Sequence, residues 1–269
     1  EPALHAAGPA FPFPGPDSRD QVLNSIEEYL KTPGGLKIGA MLVEPILGRG
    51  GMVPLPSGFL PRLRELCDRN GILLILDEIL TGFGRCGDWF ACAHEAVVPD
   101  MIAAGKALGG GLPISVCIGK SEIMERWGTS RGGARHTSTF LGHPLSCAAA
   151  LAVVETIEQE NLLAAARKKG TYLIDRLRQM TQGRNCVGEI RGRGMMIGIE
   201  FRDPLKNKPD GGLAWSFVIE CMRRGIIALT AGPDGNVVSL TPPLMIEDGL
   251  IEKSCEIMNR ALDEAIAKS

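Results

Sequence analysis

The 269-residue sequence predicts an α/β fold, with a mostly parallel sheet flanked by helices and a smaller α+β domain at the carboxyl end. Three observations predict it. Short apolar runs alternate with amphipathic helical segments through the first 160 residues, the pattern of a parallel sheet built from strand–helix–strand units. The run Ile72-Leu73-Leu74-Ile75-Leu76, ending in Asp77, reads as a strand buried on both faces. Beyond residue 160 the strands shorten and the helices carry more charge. The expected division is a large domain over 1–160 and a small domain over 161–269.

The elements follow in order. Residues 1–16 hold five prolines and no periodic pattern. They lack the basic and apolar regions of a signal peptide, and they begin without methionine, like a loop entered mid-protein. The sequence is therefore expected to be the later part of a longer one. Asp17 or Ser18 caps a helix over 21–31, ended by Pro33-Gly34-Gly35. A buried strand over 38–43 leads to Glu44-Pro45 and a glycine-bearing loop. Ser57 caps a helix to about Asn70, and Gly71 closes it. After the strand ending at Asp77, 81–87 is a glycine loop with Trp89-Phe90-Ala91 beneath it. A short strand leads into Lys106, another spans 114–119, and a short helix runs from Ser121 through Trp127. A polar loop over 129–136 precedes a helix over 144–160. The second domain reads as a helix over 161–180, a strand–turn–strand over 187–201, a polar loop over 203–212, a helix over 214–224, short strands over 226–229 and 237–240, and a terminal helix over 247–267.

Charge and composition exclude several functions. With 29 basic and 31 acidic residues the net charge is −2, and the basic residues are scattered. Neither a nucleic-acid surface nor an anionic membrane surface is indicated, and no apolar run approaches the ~20 residues of a membrane span. The cysteines at 67, 86, 92, 117, 147, 186, 221 and 255 form no CxxC pair and no ligand spacing with the four histidines. They read as reduced core thiols of a cytoplasmic protein with no metal site, Cys86 being the most exposed.

Two residues carry the chemistry. Open α/β sheets bind ligands beyond the carboxyl ends of their strands, where Asp77 stands. Lys106 sits among small residues in Ala103-Ala104-Gly105-Lys106-Ala107-Leu108-Gly109-Gly110-Gly111. Small apolar surroundings disfavour the ammonium form and suit an amine that forms Schiff bases. A strand-end aspartate with an isolated lysine is what a pyridoxal 5′-phosphate site requires: the lysine holds the aldehyde and the aspartate holds the pyridinium proton.

Longer motifs carry a resemblance. Glu44-Pro45 with Gly48, Gly50 and Gly51, Leu76-Asp77-Glu78-Ile79 with Thr81-Gly82-Phe83-Gly84-Arg85, Pro99-Asp100, Gly105-Lys106 with Gly109-Gly110-Gly111-Leu112-Pro113, Thr137-Ser138-Thr139-Phe140 with Gly142 and Pro144, and Arg191-Gly192 with Gly194 together resemble the class III (ω-type) aminotransferases. The resemblance covers essentially the whole chain. It implies the fold type I architecture of pyridoxal phosphate enzymes and a homodimer with shared active sites acting on small amines and keto acids. By motif position it implies Lys106 as Schiff-base lysine, Asp77 as pyridine-nitrogen partner, Ile79 against the ring, Thr139 on the cofactor phosphate of a neighbouring subunit, and Glu44 near the substrate. The sequence departs from the family's pattern with Leu80 where glutamine is usual, Ser239 where arginine is frequent, and no amino-terminal phosphate loop.

Other readings stand beside these. Arg191 and Arg193 fit either a substrate carboxylate or a tie between the domains. Glu78 reads as structural, and His136 and His143 as loop residues. The scaffold also fits a racemase, aminomutase, decarboxylase or lyase, because fold and cofactor do not decide the reaction. A non-catalytic interaction protein is disfavoured by the presence of both Lys106 and Asp77.

Overall fold

A computed structural model describes residues 19–128, 132–133 and 137–268. Residues 1–18, with the expected caps Asp17 and Ser18, and His136 lie outside these. In chain order the elements are α1 (Arg19–Leu30), β1 (Ala40–Val43), β2 (Ile46–Leu47), β3 (Val53–Pro54), α2 (Phe59–Asn70), β4 (Leu73–Asp77), β5 (Met101–Ala104), β6 (Val116–Gly119), α3 (Ser121–Met124), α4 (Pro144–Gln159), α5 (Leu162–Thr181), β7 (Val187–Arg193), β8 (Met196–Asp203), β9 (Lys208–Pro209), α6 (Gly211–Met222), β10 (Leu229–Ala231), β11 (Val237–Leu240) and α7 (Asp248–Ala267).

The first sheet has the order β1-β4-β5-β6. β1, β4 and β5 are parallel, and β6 returns antiparallel to β5. Helices α1 and α2 bury Val22, Leu23, Ile26 and Leu30 with Phe59, Leu63 and Leu66 against Leu74 and Leu76 of β4. The opposite face is more open. Leu42 stands opposite Ile75 and is 65 % exposed, and Cys117 is exposed in the row of Asp77 and Ala103. β4 is therefore buried on one face by the described residues and half-covered on the other, which corrects the expectation of two buried faces. It also corrects the core assignment of Cys117.

The second sheet has the order β10-β11-β8-β7, with β9 beside β8, and its pairings are all antiparallel. Its core joins Ile197, Ile199 and Phe201 to Phe217 and Cys221 of α6 and to a stripe on α7. That stripe, Ile251, Cys255, Met258, Leu262 and Ala265, steps by three and four residues, as a helix packed on one side must. α5 links the two regions: Leu162 packs with Phe83 and Ile157, whereas Leu173 and Leu177 join the second core.

Four local expectations change, one being the strand expected over 226–229, which forms instead at Leu229–Ala231. Residues 46–54 form the ribbon β2–β3 within the expected loop, and β9 lies within the expected loop 203–212. Helix α2 is not capped by Ser57. Gly58 precedes it in a left-handed conformation, and the carboxylate of Glu95, 37 residues later, accepts from Gly58 N (2.6 Å) and Leu60 N (3.3 Å). That carboxylate fulfils the capping role at the helix's free N–H groups. Among the described residues no helix is long and apolar enough to cross a membrane.

Candidate active site

Three parallel strands end side by side, each bringing one candidate residue. β1 ends at Val43, and Glu44 follows; Val43 stands opposite Leu76 on β4. β4 ends at Asp77, opposite Ala103 on β5. Lys106 follows two residues after β5. Asp77 is half-buried, and its Oδ1 accepts a hydrogen bond from Ile79 N at 3.0 Å. The carboxylate is thus oriented by its own turn, and Ile79 is half-buried beside it.

Lys106 opens a short 3-10 turn, Lys106–Gly109, with φ +41°. A side chain in the left-handed region costs about 1–2 kcal/mol relative to the right-handed one, and such conformations gather at functional sites. Leu108 and Gly109 behind it are buried, but Lys106 itself is exposed. The small residues wall the turn, and the described residues leave the amine itself open. Lys106 lines a cavity of about 870 Å³ with Leu80, Phe83, Arg85, Leu244 and Met245.

Glu78 holds the loop that follows Asp77. It is fully buried and accepts from Thr81 Oγ1, Ala91 N (2.9 Å) and Cys92 N (2.9 Å). Phe83 meets Phe90 and Trp89 edge-on at centroid distances of 5.4 and 6.5 Å. Those rings lie beneath the glycine loop as expected. Cys86 is buried, not exposed, and burial pushes its thiol up to about 12, so it is no nucleophile at neutral pH.

Sequence reasoning gave Arg85 no role. Its Nη1 donates to Pro242 O (2.5 Å) and Met195 O (3.2 Å), tying the loop after β4 to the second sheet's region. Burial pushes its guanidinium down from the ordinary value. It has no ion pair among the described residues. No local pattern marks it, because its acceptors are backbone carbonyls 110 and 157 residues away.

The remaining candidates divide. Glu44 Oε2 accepts from Gly48 N at 3.0 Å. Leu80 packs over Gly48, where an added Cβ would stand 2.2 Å from Leu80 Cδ1. Arg191, Gly198, Ser239 and Leu229 form one row across β7, β8, β11 and β10. Arg191 is engaged by protein groups: Nε donates to Gly51 O (2.9 Å), and Nη1 meets Glu200 Oε2 (2.5 Å) and Glu189 Oε2 (3.1 Å). This is the tie between regions that its motif also allowed. Arg193 is exposed. Ser239 Oγ donates to Leu229 O at 3.0 Å. Thr139 lies on an exposed turn before α4, and the structure does not bring it to Asp77 or Lys106 through any contact within the described residues. His143 does have a role, as the cap of α4, its Nδ1 accepting from Ser146 N.

A family model described as "Aminotransferase class-III" matches residues 8–262. The 4-aminobutyrate aminotransferase GabT of Escherichia coli is 38 % identical over 250 residues, which are 92 % of this chain and 58 % of that protein. A leucine/methionine racemase of Thermococcus litoralis is 38 % identical over 226 residues, 84 % of this chain and 50 % of its own length. A solved aminotransferase of Bacillus anthracis superposes with a TM-score of 0.83 at 30 % identity, covering 91 % of this chain and 56 % of that one. The chain spans about half the length of the curated relatives it matches.

Proposed function

The chain belongs to the class III aminotransferase family, and from that premise we propose that the protein is a pyridoxal 5′-phosphate-dependent transaminase. It would move an amino group from an amine or amino acid to a keto acid. The observation that carries this reading is the placement of Asp77 and Lys106 at the ends of adjacent parallel strands.

The donor set fits the cofactor: an oriented carboxylate, an exposed amine, and the apolar Ile79 between them in sequence. The cofactor supplies an electron sink for a carbanion at the substrate. Lys106 would hold it through Nζ and, once displaced by an amine, would take the proton from the substrate's α-carbon. Asp77 would keep the ring nitrogen protonated, its Oδ1 aligned by Ile79 N. Thr139 would serve the phosphate in a partner subunit. Exposed Phe140 (70 %), Leu141 (64 %) and Leu145 (62 %) beside it form the kind of apolar surface that an interface covers, which supports a homodimer. The eight free cysteines support a cytoplasmic location. We read residues 1–160 as the cofactor-binding domain and 161–269 as the small domain.

Substrate choice follows from Glu44 and Ser239. A serine cannot make the two-pronged contact of an arginine with a carboxylate, and Arg191 is already taken by Gly51, Glu189 and Glu200. Glu44 then repels an acceptor carboxylate. We therefore place 2-oxoglutarate among the poor acceptors and pyruvate among the better ones. The second reading, a racemase, is favoured by the 38 % identity to the Thermococcus litoralis enzyme.

Incubation of the full-length protein with an amine alone tests the choice. A transaminase converts the cofactor to its aminated form and releases a carbonyl product, whereas a racemase regenerates the aldehyde and inverts the amino acid. Inversion without carbonyl release overturns the proposal.

A further inference from the structure

Away from the strand ends, the last turn of α5, the start of β7 and the end of β8 enclose an open cavity of about 670 Å³. Arg178, Gln182, Arg184, Arg202 and Asn207 line it, and Glu189 supplies its one carboxylate. Glu189 is itself paired with Arg191 at 3.1 Å. Three guanidinium groups therefore line the cavity, and the carboxylates that pair with them, Asp263, Glu200 and Asp175, lie outside its lining.

Two of those groups have unmet donors. Arg184 Nη1 and Arg202 Nε are buried and have no acceptor among the described residues. The other donors show why the protein does not satisfy them. Arg184 Nη2 is directed to Asn259 Oδ1 (2.8 Å) and Asp263 Oδ1 (2.7 Å). Arg202 reaches Glu200 Oε1 at 3.2 Å and Asn207 Oδ1 at only 3.5 Å, and Glu200's second oxygen belongs to Arg191. Arg178, mostly exposed, donates to Ile190 O at 3.2 Å and lies 3.8 Å from Asp175. Buried N–H groups without acceptors are costly, and a turn of either guanidinium toward an anion in the cavity would relieve that cost. Gly188 preserves the arrangement: a Cβ there would stand 2.6 Å from both Nε and Nη2 of Arg202. The absent side chain lets the guanidinium lie flat on the strand at the cavity wall.

We propose that this cavity binds a small polyanion, a molecule carrying two or more phosphoryl or carboxylate charges, at a site separate from Lys106. Guanidinium forks match both oxyanion types, and a volume of this size accepts more than a lone inorganic ion. The proposal does not depend on the transaminase reading, since Glu44, Asp77 and Lys106 take no part.

Calorimetric titration of the cofactor-loaded, full-length protein with pyrophosphate and with citrate, at constant ionic strength, tests it. The expected result is saturable binding of one anion per chain. Arg202→Gln and the exposed Arg178→Gln each weaken it by about tenfold or more, the loss of one charged hydrogen-bond partner. Arg69→Gln, an exposed change on α2, leaves it unaltered. Binding of one anion only supports the site and assigns phosphoryl or carboxylate chemistry to it. No saturable binding of either anion, or binding that survives both Arg178→Gln and Arg202→Gln, overturns it.

Discussion

Lys106 follows by three residues the partner that Asp77 meets on the neighbouring parallel strand, Ala103. The fold thereby sets an amine and a carboxylate at the same edge of one sheet, and the pair does not depend on any long loop for its placement.

Lys106→Ala in the full-length protein is expected to lower turnover by at least about a thousandfold, because in the proposed mechanism one group both anchors the cofactor and moves the proton. Its backbone gives a separate readout. At φ +41° glycine is unstrained, so Lys106→Gly should be more stable than Lys106→Ala by about 1 kcal/mol. Denaturant titrations of the two variants measure this, and equal midpoints would contradict the strained turn.

Asp77→Asn keeps an oxygen to accept from Ile79 N and loses the charge that, in the proposed mechanism, would hold a pyridinium proton. Cofactor binding should persist while the rate falls by about two or more orders of magnitude. Single-turnover kinetics on the loaded variant is the measurement.

Asp100 lies buried between Arg64 Nη1 and Lys120 Nζ, each at 2.7 Å, and accepts from Leu74 N at 2.8 Å. Burial alone would raise its pKa, but the hydrogen bonds from Lys120, Leu74 N and Arg64 outweigh it and hold the carboxyl at about 2. A carboxyl whose folded pKa is depressed stabilises the fold above its unfolded value, near 3.9, and that stability disappears as pH falls through about 2. Asp100→Asn should therefore cost about 2 kcal/mol at pH 7, and the difference from the parent should shrink between about pH 4 and pH 2. Urea titrations across that range check the sign.

Glu95→Ala removes the remote cap of α2. The expected cost is about 1–2 kcal/mol, read as a shift in thermal unfolding, while Ser57→Ala should change little.

The legible parts of the sequence were those whose signals are local. The apolar run ending in Asp77, the small residues around Lys106 and the left-handed Gly71 all report their own neighbourhoods, and the structure has strands and turns there. What escaped depends on residues far apart. Glu95 caps a helix 37 residues before it, and Arg85 ends on carbonyls more than a hundred residues later. The engagement of Arg191 needs Gly51, 140 residues earlier, to come alongside β7. The exposure of Leu42 and Cys117 was equally unreadable, because hydrophobicity reports what a residue prefers and not what covers it.

Borohydride reduction of the cofactor-loaded full-length protein, followed by peptide mass mapping, tests the central claim most directly, since it needs no substrate and no turnover. A pyridoxyl group on Lys106 is the predicted result. A pyridoxyl group on another lysine, or unmodified Lys106 in protein that retains its cofactor, would contradict it.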